Sequence, residues 1–307
     1  IKRNQQSFLI HLLLLLNPVS GLYVSSCLFK SHKRELQSMR EGDFDNTHYY
    51  CSPFLDDVDR VDHKTALIIL NSPINKPPSP IFQKLWHLSS LRVCADGGAN
   101  RLHDATSGSI EYLPDLILGD LDSLRDEVRD YFKEKGVRIE KNPCQESNDL
   151  DKCLQVLRDD WIQQSAVNCR ICVYGAFGGR FDQEMASIQA LFKWKDQLQR
   201  CCLSLFDDFT TAFILKEGVT TEIRLSFYGE KQPVEFEVGD GPTCGLIPIG
   251  TKCDSIKTHG LKWNLNGDCA LEFGGLVSTS NRIIEEIVTI HPSHPVIFTA
   301  EVLSGPT

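Results

Sequence analysis

The sequence predicts a parallel-sheet α/β domain followed by an all-β sandwich or roll. Two patterns carry this. From residue 64 to about 202, short continuous apolar runs alternate with helical periodicity, as expected of parallel strands covered on both faces. From 203 onward, short strand-like segments follow one another between turn signals such as Asp240-Gly241-Pro242, Asn266-Gly267 and Gly274-Gly275, the pattern of an all-β domain. The expected organisation is a lead-in over 1–63, an α/β domain over 64–202 and a β domain over 203–307.

In the first half, strands are expected at 65–70, 91–95, 116–118, 137–139 and 170–174, each an apolar run too short for a helix. Helices are expected between them at 79–88, 123–135, 148–160 and 182–199. Asp122-Ser123 and Ser147-Asn148 supply side-chain oxygens suited to cap the second and third. In the second half, strands are expected at 203–207, 211–215, 221–228, 234–238, 244–249, 255–258, 261–265, 270–273, 276–280, 285–290 and 296–302.

The 307 residues carry 32 Lys+Arg against 41 Asp+Glu, a net charge of −9, and are 41% hydrophobic. This excludes a disordered chain or a polytopic membrane protein, and an acidic balance opposes a general nucleic-acid grip. The charge is uneven. Residues 1–34 hold five basic side chains (Lys2, Arg3, Lys30, Lys33, Arg34) and no acid, leaving 27 basic against 41 acidic residues beyond, a net −14.

That leader has a nine-residue apolar run at 8–16 interrupted by His11. It is too short for a bilayer span of roughly 20 residues. Four readings stay open: a secretory signal, an organellar transit peptide, upstream sequence preceding a start at Met39, or a segment with a folded role. A cytoplasmic location is expected if residues 1–38 do not direct the chain elsewhere. The twelve cysteines include several inside apolar runs and read as reduced core thiols. Cys169 and Cys172 form one C-x-x-C without the second pair that a structural zinc site needs.

Ligands of an open parallel sheet bind at the strands' carboxyl ends, so the residues after each strand matter most. They are Asp96-Gly97-Gly98, then Gly119-Asp120-Leu121-Asp122-Ser123, then Asn148-Asp149 at a helix start, then Gly175 through Gln183 with Gly178-Gly179-Arg180 inside it. Asp120 and Asp122, two apart, put carboxylates on one side of an extended segment. Converging carboxylates favour a hard cation such as Mg²⁺ with substrate phosphates, and Asp149 is a third candidate ligand. The glycines let backbone amides approach a phosphate, onto which Arg180 can fork. Asp96 with Gly97-Gly98 reads as a tight strand-to-helix turn, either near the nucleotide or acceptor or as turn chemistry alone.

Residues 94–101, 119–123 and 178–183, with 244–248, 260–265 and 276–281, resemble the thiamine pyrophosphokinase family in order across 65–302. The resemblance implies an α/β catalytic domain, a β domain that helps bind thiamine, and a homodimer with active sites near the subunit interface. It implies transfer of the pyrophosphoryl group of ATP to thiamine with Mg²⁺, giving thiamine diphosphate and AMP. By position it places metal and ATP carboxylates at Asp120, Asp122 and Asp149, with Asp122 the candidate proton acceptor. Gln183 and Asp182 fall in the motif near the substrates. Trp263 becomes the aromatic contact for thiamine, with Ser280 close by. The segment before the acidic helix departs from the family pattern: Cys144, Glu146 and Asn148 replace other residues while Gln145 and Asp149 match. Ala176 is a milder departure. The alternatives are a non-catalytic nucleotide or thiamine sensor and a Mg²⁺-dependent diphosphotransferase with another acceptor. No nucleic-acid partner and no stable membrane insertion are expected.

Overall fold

Thr65 through Ile69 are buried and continuously apolar after the first residue, and they form the middle of a sheet. The structure, a computed structural model, describes residues 48–51, 63–163, 165, 168–198, 201–224 and 242–302. The strands are β1 (His48–Cys51), β2 (His63–Ile69), β3 (Leu91–Ala95), β4 (Leu116–Gly119), β5 (Arg138–Lys141), β6 (Asn168–Tyr174), β7 (Cys201–Phe206), β8 (Thr210–Leu215), β9 (Thr220–Arg224), β10 (Thr243–Ile247), β11 (Ile256–His259), β12 (Ser278–Arg282), β13 (Ile287–Pro292) and β14 (Val296–Glu301). The helices are α1 (Pro80–Leu88), α2 (Gly98–Thr106), α3 (Asp126–Glu134), α4 (Asp149–Val156) and α5 (Phe181–Trp194), and a π-helical turn, Leu157–Ile162, prolongs α4.

Ten strands form one sheet in the order β12-β10-β14-β8-β7-β6-β2-β3-β4-β5. The six from β7 to β5 are parallel, and β8, β14, β10 and β12 are joined antiparallel beyond β7. On one face, Leu67, Ile69, Cys94 and Ile117 pack against Phe82, Leu102 and Val128 of α1, α2 and α3. On the other, Ala66, Ile68, Val93 and Leu118 pack against Leu154 and Leu191 of α4 and α5. Burial on both faces explains the unbroken apolar runs.

A second sheet, β1-β9-β13-β11, lies over the antiparallel half of the first. Phe213, Leu246 and Phe298 of one sheet share a core with Ile223, Ile256 and Ile290 of the other. This is the expected sandwich, and the ten-stranded sheet runs through both halves of the chain.

Several elements differ from expectation. Helix α2 was absent from the sequence prediction because it opens on Gly98 and buries only the small Ala99 and Ala105 beside Leu102, a weak periodic signal. Helix α3 starts at Asp126, with Arg125 at its cap position, not at Ser123. At α4 the cap is as predicted: Asn148 accepts from the Asp151 N–H at 2.8 Å. Segments 261–265 and 270–273 are not strands. They touch the sandwich through single bridges, Leu261 to Ile283 and Cys253 to Leu271, while burying Leu261 and Leu271 in its core. Residues 1–38, Met39 and the strand expected at 234–238 lie outside the described residues. The ten cysteines from Cys94 to Cys269 are in no disulfide, and most of them are buried. Among the described residues no helix is long and apolar enough to cross a membrane.

Candidate active site

The chain leaves β2 toward β3 on one side and returns from β5 to β6 on the other. This reversal opens a crevice at the strands' carboxyl ends. A cavity of about 760 Å³ lies there, lined by residues that follow β2 (Ser72), β3 (Asp96), β4 (Asp120), β5 (Asp149) and β6 (Gly179).

Asp96 has φ 43°, a left-handed turn that stops β3 and points its side chain inward. It is 3% exposed. Oδ2 accepts from the Ser123 N–H at 3.2 Å, while buried Oδ1 has no hydrogen-bond partner. Burial raises its pKa, and the charges of Asp149 and Asp120 add to the rise. Asp120 and Asp122 meet through a turn, not through strand alternation. Leu121 has φ 64°, and Asp120 Oδ1 accepts from the Asp122 N–H at 3.2 Å. That bond, with Lys152 nearby, holds the Asp120 carboxyl below its usual range.

Carboxylate oxygens of Asp96, Asp120 and Asp122 lie within 4.8 Å of one another. Three hard anionic donors, one of them buried with an oxygen that has no hydrogen-bond partner, fit a Mg²⁺-like cation. Gly119 makes this approach feasible. A Cβ there would stand 2.6 Å from Asp96 Cβ and 3.2 Å from Asp149 Oδ1.

Asp149 is tied to a residue that sequence reasoning missed. Lys152, one turn along α4 and 2% exposed, lies 2.9 Å from Asp149 and 3.5 Å from Asp120. Burial alone would lower its pKa, but the Asp149 hydrogen bond and both carboxylate charges raise it on balance. The i, i+3 spacing from Asp149 was the available signal.

In the glycine loop, Gly175 and Gly178 have φ 84° and 79°. The N–H groups of Gly178 and Gly179 both donate to Glu184 Oε1, at 3.0 and 3.1 Å. Arg180 forks onto Asp182 at the surface, holding the Asp182 carboxyl below its usual range. Gly97, Arg180 and Gln183 line the cavity. So do Gln145, Glu146 and Ser147. Cys144 is exposed, and a hydrogen bond with Ser147 lowers its thiol pKa. Asn148 caps α4 through its side-chain oxygen.

Trp263 and Ser280 are not among the residues lining this cavity. They sit on the sandwich. Buried Asn281 clamps the Trp263 backbone, accepting from its N–H at 3.1 Å and donating to its carbonyl at 2.8 Å. The indole is 56% exposed, with Lys262 Nζ 4.8 Å above the ring. Ser280 beside the clamp has φ 56°.

Two family descriptions match: "Thiamin pyrophosphokinase, catalytic domain" over 82–203 and "Thiamin pyrophosphokinase, vitamin B1 binding domain" over 231–297. Thiamine pyrophosphokinase 2 of Arabidopsis thaliana is 35% identical over 77% of this chain and 86% of its own length. Thiamine pyrophosphokinase 1 of Oryza sativa subsp. japonica is 35% identical over 76% and 86%. The crystal structure of yeast thiamin pyrophosphokinase superposes with a TM-score of 0.70 at 27% identity, covering 85% of this chain and 92% of that one. With matched segments in both halves and relatives aligned over most of their length, the chain belongs to the thiamine pyrophosphokinase family.

Proposed function

We propose that the protein is an ATP-dependent thiamine diphosphokinase. The thiamine hydroxyl oxygen attacks the β-phosphorus of ATP, the bond from that phosphorus to the α,β-bridging oxygen breaks, and AMP leaves. The hydroxyl proton passes to a carboxylate. The observation that carries this reading is the convergence of Asp96, Asp120 and Asp122 beside a glycine loop at the sheet's switch point.

Asp96, Asp120 and Asp122 would hold Mg²⁺, with Asp149 joining if it exchanges Lys152 for the ion. Bound there, Mg²⁺ neutralises charge on the polyphosphate. The chain's own residues do the rest. The loop amides and Arg180 bind phosphate oxygens, Lys152 supplies a fixed positive charge, and Asp122, the exposed member of the trio, accepts the hydroxyl proton. Gln183, which lines the cavity, meets the acceptor, with Asp182 next to it at the surface on Arg180. Positioning and charge compensation account for most of the rate in such transfers.

Thiamine is cationic and aromatic, and Trp263 offers it an exposed ring over which the Lys262 ammonium now sits, with Ser280 beside it. Since neither residue lines the cavity of its own chain, the reading includes a homodimer in which one subunit's sandwich completes its partner's site. Exposed Trp263, Phe273, Leu276 and Ile284 support this, since all lie on the sandwich half and exposed apolar groups favour association. The test is incubation with ATP, Mg²⁺ and thiamine, followed by chromatography. Thiamine diphosphate and AMP are expected in equal amounts. ADP, or no thiamine diphosphate, overturns the reading.

A further inference from the structure

Two consecutive backbone N–H groups converging on one oxygen form an anion nest. Here the nest of Gly178 and Gly179 already holds an anion from its own chain, Glu184 Oε1, at 3.0 and 3.1 Å. Glu184 lies in the first turn of α5 and lines the cavity together with Gly179 and Arg180. Among the described residues its carboxylate forms no ion pair. The neighbouring cation, Arg180, is engaged by Asp182 instead. The loop therefore rests with both of its phosphate-seeking features, amides and guanidinium, occupied by acidic side chains of the same helix.

We propose that Glu184 is a built-in competitor for the phosphate loop. Its carboxylate holds the Gly178 and Gly179 amides in the free protein and yields them to a phosphate group of the bound nucleotide. This rests on the reading of residues 175–180 as the phosphate loop.

The competition has two consequences. Only the fraction of molecules in which Glu184 has left the nest can give both amides to phosphate, so apparent affinity is reduced by that fraction. A carboxylate left in the cavity wall also repels the polyphosphate, so the outgoing side chain must turn away from it. In return, the loop stays ordered before substrate arrives, because the Gly178 and Gly179 amides already have an acceptor. A simple brace would share the ordering but not the competition, and substitutions separate the two. Glu184→Gln keeps an acceptor oxygen for the amides and removes the charge. Glu184→Ala removes both.

The experiment is calorimetric titration of inorganic pyrophosphate, and separately of a non-hydrolysable ATP analogue, at fixed Mg²⁺ into the wild type and both variants. A competitor predicts tighter binding, by about five- to tenfold in Glu184→Ala and by less in Glu184→Gln. A brace predicts wild-type affinity in Glu184→Gln and weaker binding in Glu184→Ala. Unchanged or weakened binding in both variants overturns the proposal. If Glu184→Ala fails to melt cooperatively, Glu184→Gln decides alone: a gain supports the proposal and no gain sinks it. Thiamine diphosphate synthesis by the wild type is assayed in parallel. Its absence would remove the activity and leave the anion comparison standing. A wild type that binds no pyrophosphate removes the phosphate loop and this proposal with it.

Discussion

Lys152 donates to Asp149 across one turn of α4 at 2.9 Å, from a side chain only 2% exposed. Its ammonium also lies 3.5 Å from Asp120. A buried cation persists only when paired, and here it offsets part of the repulsion among carboxylates from three strand ends. Removing one partner of a fully buried pair costs about 3–5 kcal/mol. Asp120 and Asp149 are 20% and 31% exposed, so water softens the loss. Lys152→Met is expected to lower metal-free stability by about 1–3 kcal/mol. Urea denaturation in chelator measures this, and an unchanged midpoint would show that the pair contributes nothing.

Asp122→Ala should separate chemistry from acceptor binding. Asp122 belongs to the carboxylate trio, whereas the proposed thiamine contact is on the sandwich. Turnover is expected to fall by at least about 100-fold, with thiamine affinity within about twofold of wild type. AMP release and equilibrium thiamine binding read the two quantities. Undiminished turnover would remove Asp122 from the reaction.

Trp263→Ala should do the reverse. The Asn281 clamp fixes the Trp263 backbone, so the ring is presented and not merely exposed. Lys262 Nζ at 4.8 Å already occupies a cation's position over it. A cation–π contact of about 0.5–2 kcal/mol corresponds to a thiamine KM about 2- to 30-fold higher in the variant. Trp263→Phe should fall between. A thiamine KM that does not move would take the ring out of the site.

Gly119→Ala tests the close approach that gathers the acids. The added methyl would meet Asp96 Cβ at 2.6 Å and Asp149 Oδ1 at 3.2 Å. Overpacking of this kind costs about 1–3 kcal/mol. Thermal unfolding should show that loss, and Mn²⁺ titration followed by electron paramagnetic resonance should show weaker ion binding. A variant that matches wild type in both would mean that the trio does not depend on this glycine.

Tyr174 predicts an alkaline limit to stability. It is 2% exposed and donates to Asp208, which also accepts from Asn75 and Ser79. Burial, then the Asp208 hydrogen bond, raises the phenol pKa well above its usual range. The unfolded phenol ionises near pH 10. The folded protein therefore retains a proton that the unfolded chain releases, and stability falls as pH rises beyond about 10. Tyr174→Phe should cost about 1 kcal/mol near neutrality and flatten this decline. Denaturation curves between pH 8 and 11 would show it, and equal slopes for both proteins would contradict it.

The sequence by itself determined the alternation of buried strands and helices, the strand-rich second half, and the motifs at the strand ends. These are local: an apolar run, a cap such as Asn148 or a glycine turn is written in adjacent residues. The partnerships were decided by tertiary structure. Asp96 joins Asp120 and Asp122 because β3 and β4 pair in parallel with Ala95 opposite Leu118, which sets Asp96 against Gly119. Lys152 and Glu184 read in sequence as ordinary helix charges. Only burial and hydrogen bonding make one a counter-ion for two carboxylates and the other an occupant of the amide nest. The separation of Trp263 from its own chain's cavity is likewise invisible in the motif that contains it, because distance between elements depends on how sheets stack, and no local pattern encodes that.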